Sequence, residues 1–349
     1  MDQGDPRIGN QGGLISTVQQ TNVMSNINLT IATDVYDHVR DLTDGTVRAE
    51  GIHLTVLKLQ LEEIFYRFTK FREWDISELS MGKYISLRSQ DDTSITAIPV
   101  FISRVFRHSS IYVKAGSAFK SPEQLKGKRI GIPEWAQTAS IYSRGLLEHE
   151  YGVPLASVEW VQAGVNQPGR VEKVELKLPA GVRYRNEPEK SLDGMVQSGE
   201  LDAMLSARPP QSLGRGIDRM IPNYRPVEEA YFRKTGVYPI MHVIALRTPV
   251  LEQYPWVAMN LLKAFEESKR RSMVRLAEIA ATHAPVPWLG DTIAQLRSLL
   301  GPDIFPYGIE PNRKTLETFV QYGYEQGVCH RKLSVEELFP ASVQSSFKV

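Results

Sequence analysis

Ser121-Pro122-Glu123-Gln124-Leu125-Lys126-Gly127-Lys128-Arg129-Ile130-Gly131-Ile132-Pro133 is the stretch that decides the architecture. Serine at the N-cap, proline at the first helical position and glycine as the stop specify one short helix. Lys128 to Pro133 then reads as a strand that leads straight into the next helix, over Ala136 to Tyr151. A helix, a buried strand and a second helix in succession are the unit of a sheet covered by helices.

The same alternation extends in both directions. Short β-rich runs are expected at Asn28 to Ala32, His53 to Leu57, Asp75 to Leu79, Ile95 to Val100 and Ile111 to Val113. Further runs follow at Arg129 to Ile132, Val158 to Val161, Ala203 to Ser206 and His242 to Leu246. Apolar residues recur at helical spacing over Leu61 to Phe71, Ala136 to Tyr151, Pro255 to Ala281 and Pro311 to Gln326. The class is therefore α/β. Between Val165 and Pro188, Val174, Leu176 and Leu178 alternate with charged residues, Pro179-Ala180-Gly181 can turn, and Val182 and Tyr184 resume the alternation. This reads as an inserted hairpin or flap.

A chain of 349 residues with 42% apolar content exceeds the usual single-domain size, so two lobes are expected. Lysine plus arginine (41) nearly cancels aspartate plus glutamate (40), which leaves no broad footprint for nucleic acid or an acidic membrane surface. Any anion must be held locally. The single cysteine, Cys329, excludes an intramolecular disulfide and a cysteine-pair metal site. Residues 1–26 are polar and lack a signal-peptide core, and no apolar run approaches the roughly 20 residues of a membrane span. They read as a flexible leader on a cytoplasmic protein without a membrane partner.

The order of elements, with Leu125 to Pro133 in particular, resembles type II periplasmic-binding-protein folds. That resemblance implies two lobes joined by two crossing strands around a central cleft. The first lobe would be discontinuous, 27–110 plus 245–349, and the second would span 111–244. Five phrases sharpen it: Arg104 to Tyr112, Gly131 to Glu134, Leu201 to Pro210, Tyr238 to Val243 and Tyr307 to Lys314. Together they are similar to the 4,5-dihydroxyphthalate decarboxylase family over nearly the whole chain after the leader. The resemblance implies a carboxy-lyase acting on a small aromatic dicarboxylate, and a homo-oligomer. The main rival is a solute-binding protein on the same fold, against which the missing export signal counts, and a third reading is another cleft lyase, such as a dehydratase.

Candidate residues follow from the implied cleft. Arg104, Arg107 and His108 lie where a first-lobe strand enters the crossing, and guanidinium forks suit carboxylates. His242 sits in the apolar run Ile240 to Ile244, opposite His108 across the implied crossings. It reads either as a buried histidine satisfied by backbone groups or, with His108, as one of two acid/base candidates. Glu134, Gln137 and Thr138 join a strand end to a helix start, a seat for an anion or an ordinary N-cap. Arg208 is stopped at the sheet's carboxyl edge by Pro209-Pro210, as a carboxylate clamp or a salt-bridge partner. Ser80 lines the first-lobe wall or caps a helix, and Asp34 is a further candidate near the site.

No His-Glu-x-x-His pattern, close His pair or glycine-rich phosphate loop is present, so no metal and no nucleotide cofactor is expected. For the implied substrate, each carboxylate has a para hydroxyl. The phenol then accepts electron density, and no pyridoxal or thiamine is demanded.

Overall fold

Two sheets carry the chain, and the chain passes between them twice. The computed structural model describes residues 26–345. Apart from Asn26, the expected leader lies outside the described residues. The strands are β1 (Ile27–Thr33), β2 (Ile52–Lys58), β3 (Ile76–Ser80), β4 (Ile95–Arg104), β5 (Ile111–Lys114), β6 (Arg129–Ile132), β7 (Glu159–Gly164), β8 (Arg183–Ser191), β9 (Ala203–Leu205), β10 (Ile217–Arg219) and β11 (Ile240–Arg247). The helices are α1 (Asp37–Thr43), α2 (Leu61–Phe71), α3 (Met81–Ser89), α4 (Thr138–His149), α5 (Leu192–Ser198), α6 (Tyr224–Thr235), α7 (Thr248–Gln253), α8 (Val257–Ala277), α9 (Leu289–Leu300) and α10 (Arg313–Glu325).

The first sheet runs β2-β1-β3-β11-β4 and the second β10-β5-β9-β6-β7-β8. β1 pairs in parallel with β2 and β3, while β11 lies antiparallel between β3 and β4. In the second sheet β6, β7, β8 and β9 are parallel neighbours, and β5 runs antiparallel to β9 and β10. Residues 105–110 make the outward crossing. The return, through α6, enters the first sheet at Ile240 rather than at the expected boundary after Ile244, so His242 belongs to the first sheet.

The opening stretch folds as its chemistry dictates. Pro122–Leu125 is a 3-10 turn closed by a reciprocal capping box between Ser121 and Gln124. Gly131 is required in β6, because a Cβ there would stand 2.6 Å from Leu192 and 2.7 Å from Leu201, which pack the second sheet. The expected hairpin at 165–188 is not one. Only its second half forms a strand, β8, and that strand pairs in parallel with β7. The intervening alternation of Val174, Leu176 and Leu178 instead packs an irregular segment onto the core. Among the described residues no helix is long and apolar enough to cross a membrane.

Candidate active site

The cleft forms where the sheets' carboxyl ends face one another, and two helix starts meet there. β3 ends at Ser80 and turns directly into α3; β6 ends at Ile132, and the chain reaches α4 at Thr138. Ser80 Oγ lies 2.9 Å from Thr138 Oγ1, which also accepts the Gly82 N–H at 2.9 Å. Beside this junction opens a cleft of about 590 Å³, large enough for a small aromatic acid.

His242 stands on the first-lobe wall. Its register partners are Ser80 on β3 and Ser103 on β4, and the pairing with β4 shifts on both sides of it. Such irregularities turn a side chain out of the regular pleat, and His242 is partly exposed, at the cleft, in a largely buried strand. Its Nδ1 is 2.6 Å from Glu78 Oε1, and its ring meets Phe65 edge-on at 4.9 Å. Glu78 is fully buried. Its carboxylate accepts from Tyr36 OH at 2.6 Å and from the Asp34 N–H at 3.0 Å. Burial and the Glu78 charge push the Tyr36 phenol up, so it remains a donor.

Arg107 reaches the cleft from the outward crossing. Its guanidinium contacts Ser110 Oγ and Met241 Sδ, its Nε has no partner, and no carboxylate pairs with it among the described residues. Burial brings it down to about 10, with the Glu228 charge offsetting part of that from a distance, so it is still protonated at neutral pH with no carboxylate in ion-pair contact among the described residues. Arg208, exposed, lines the same cleft.

At the other end Glu134 is buried against Lys83 at 2.6 Å, Arg170 at 2.6 Å and Lys173 at 3.3 Å. Burial alone would raise its carboxyl, but the three cations outweigh it and hold it below the ordinary range. Glu134 thus ties the lobes together, and its oxygens are already occupied. The expected anion seat at the start of α4 is partly filled as well, because the Ala136 N–H donates to Glu172 at 3.0 Å. Gln137 remains on the cleft wall.

The structure brings His242, Arg107, Arg208, Ser80, Glu134, Gln137 and Thr138 to one cleft. Three other candidates line no part of it. Arg104 ends β4 pointing into the first lobe, where it donates to the Tyr238 carbonyl (3.1 Å), the Pro306 carbonyl (2.7 Å) and Asn312 Oδ1. It joins two of the quoted phrases structurally. His108 is buried beside Tyr231 and Tyr151, with Nδ1 unpartnered and 4.0 Å from Glu228, so it does not face His242 across the cleft. The side chain of Asp34 accepts the Val35 N–H, and only its backbone serves the site, through Glu78.

Sequence reasoning missed Glu78, Lys83 and Arg170. A lone carboxylate inside the strand Ile76–Ser80 was the available signal for Glu78, since an unpaired charge is seldom buried without purpose. Among the described residues, Glu148, His149 and Glu325 have ligand atoms close enough together for a metal ion. That cluster lies at the far end of α4, outside the cleft, and His149 is already 2.7 Å from Glu325.

Two α/β lobes, two crossings and a cleft at the strands' carboxyl ends define the periplasmic-binding-protein class of fold. The aliphatic sulphonate binding protein SsuA from Escherichia coli shares it with a TM-score of 0.52 at 12% identity, over 92% of this chain and 99% of that one. The periplasmic sulfonate-binding protein SsuA from Methylobacillus flagellatus KT gives 0.50 at 13%, over 92% and 93%. No family model matches the sequence. The chain nevertheless belongs to the 4,5-dihydroxyphthalate decarboxylase family: it is 38% identical to the Comamonas testosteroni 4,5-dihydroxyphthalate decarboxylase over 331 residues, 93% of this chain and all of that protein. It is also 40% identical to the Pseudomonas putida enzyme over 204 residues, 58% of this chain and 79% of that protein.

Proposed function

We propose that this chain converts 4,5-dihydroxyphthalate to protocatechuate and carbon dioxide. Family membership supports the substrate. The observation that carries the site is the buried Arg107 guanidinium, without a carboxylate partner, in the same cleft as His242. A cation desolvated in this way binds an anionic ligand group strongly, and its fork matches a carboxylate.

Direct loss of carbon dioxide would leave an aryl anion. The workable route protonates the ring carbon that bears the carboxylate while the para phenol gives up its proton, forming a dienone. The bond to the carboxylate then breaks, its electrons restore the ring, and the net reaction takes up one proton. His242 is the acid/base group in this reading. Arg107 and Arg208 hold the carboxylates, and Ser80, Gln137 and Thr138 supply polar contacts from both lobes. Tight apposition of the lobes excludes water and strengthens each of these contacts.

Incubation with a series of hydroxylated phthalates, read by mass spectrometry, tests the proposal. Loss of carbon dioxide from 4,5-dihydroxyphthalate, unaffected by chelator, is the expected result. Binding without turnover would make the chain a solute-binding protein, and loss of water would make it a dehydratase. A cytoplasmic setting, with which the single buried thiol at Cys329 is compatible, is tested by cell fractionation. The mass of the protein in solution tests the expectation of a homo-oligomer.

A further inference from the structure

Glu78 stands one layer behind the cleft, and the ordinary energetics of burial do not account for it. Its carboxylate is 0% exposed. Among the described residues no Lys or Arg pairs with it, and its ion-pair partner is His242. Replacing such a buried charge by apolar groups of similar volume is often neutral or stabilising, so stability gives little reason to keep a glutamate here. The site is nonetheless built to hold it. Tyr36 OH and the Asp34 N–H each donate to a different oxygen, and Thr33 Oγ1 lies 3.4 Å from the second.

We propose that Glu78 is the positioning residue for His242: its carboxylate accepts the Nδ1 proton and so presents Nε2 to the cleft. An ionised carboxylate only accepts hydrogen bonds, so the 2.6 Å contact requires a proton on Nδ1. The neutral ring then carries its lone pair on Nε2, and the charged ring carries its second proton there. Either way one nitrogen, at one orientation, exchanges protons with a bound ring. The edge-on Phe65 and the shifted pairing on both sides of His242 fix the imidazole plane, and Glu78 fixes the tautomer. The assignment rests on the reading of His242 as the proton-transfer group, and its test includes a readout that needs no turnover.

The measurement is nitrogen-15 NMR of histidine-labelled protein, with His242→Asn to assign the signal, alongside steady-state kinetics on 4,5-dihydroxyphthalate. In the unmodified protein the neutral His242 ring is expected to be protonated on Nδ1. In Glu78→Ala both tautomers should be populated, kcat should fall roughly 10²-fold, and KM should move by less than about threefold. Glu78→Leu, of similar volume, serves if the Ala variant does not fold. It too leaves Nδ1 without an acceptor, so it should shift the tautomer and lower kcat in the same direction. An unchanged His242 tautomer in the folded variants overturns the proposal, even if kcat drops. So does a shifted tautomer with kcat kept within about threefold. If the unmodified protein turns over no hydroxylated phthalate, the decarboxylase reading fails and the tautomer arm still decides the role of Glu78.

Discussion

At the scale of single residues, two cations that look alike in sequence divide sharply. Arg104 has its donors on two carbonyls and an amide oxygen, whereas Arg107 faces the cleft without a carboxylate. Arg107→Lys keeps the charge and loses the fork, so kcat/KM should fall roughly 10- to 100-fold, the worth of one charge-assisted bond in dry surroundings. Near-normal kinetics in a folded Lys variant would remove Arg107 from the substrate. His108 makes a different prediction. Burial pushes its imidazole down from 6.5 to about 4, despite Glu228 4.0 Å away. The unfolded chain therefore takes up the proton first, so the contribution of His108 to stability is complete above about 6.5 and is lost as pH falls toward 4. His38 shifts in the same direction, so the wild-type slope contains both histidines. His108→Gln should flatten that slope in denaturant melts between pH 7 and 4.5, while kcat per folded molecule stays within a few-fold. Strong loss of turnover at unchanged stability would return His108 to the chemistry.

At the scale of elements, the site depends on how closely α3 and α4 abut. A Cβ on Gly82 would stand 2.5 Å from the Ala136 carbonyl oxygen, a backbone atom that cannot swing aside. Gly82→Ala should therefore part the two helix starts, break the Ser80–Thr138 contact, and cost about 1–3 kcal/mol. A melt at lower temperature together with a raised KM would show both effects, and wild-type values for each would mean that the helices have room to spare. The helices and strands at this junction were legible, because alternation, capping residues and helical spacing are local properties. The strand edges were not. Whether His108 or His242 faces the cleft depends on cross-strand register and on the irregular pairing around β11, which no local pattern encodes. β8 was misread for the same reason, since its partner β7 is chosen by the sheet and not by the nearby turn. Glu78 left one local signal, a lone carboxylate in a short strand, but its pairing with His242 is set by strand register, which that signal does not carry.

At the scale of the whole molecule, the question is what holds the two lobes across the cleft. Glu134, on the second lobe, is buried against Lys83 of the first, and Arg170 of the second lobe also reaches Glu62 of the first at 2.9 Å. These contacts differ in kind. Removing Glu134 would strand the buried Lys83 without a carboxylate, which costs about 3–5 kcal/mol and confuses closure with folding. Arg170 is partly exposed, and Glu134 keeps Lys83 and Lys173 without it, so Arg170→Ala should leave the melting temperature nearly unchanged. Its expected effect is on closure, as a several-fold rise in KM. Because Arg170 also lines the cleft, direct contact with the substrate would give the same single-variant result. A double-mutant cycle with Glu62→Gln separates the two. If Arg170 works by tying the lobes through Glu62, each single change already breaks that pair, Lys173 keeping only a 3.7 Å approach to Glu62, and the double variant should be little worse than Glu62→Gln alone. If Arg170 instead holds the substrate, the two effects should add. Additive losses would therefore place closure in the Ser80–Thr138 and Lys83–Glu134 contacts, and move Arg170 to the carboxylate-binding wall beside Arg107.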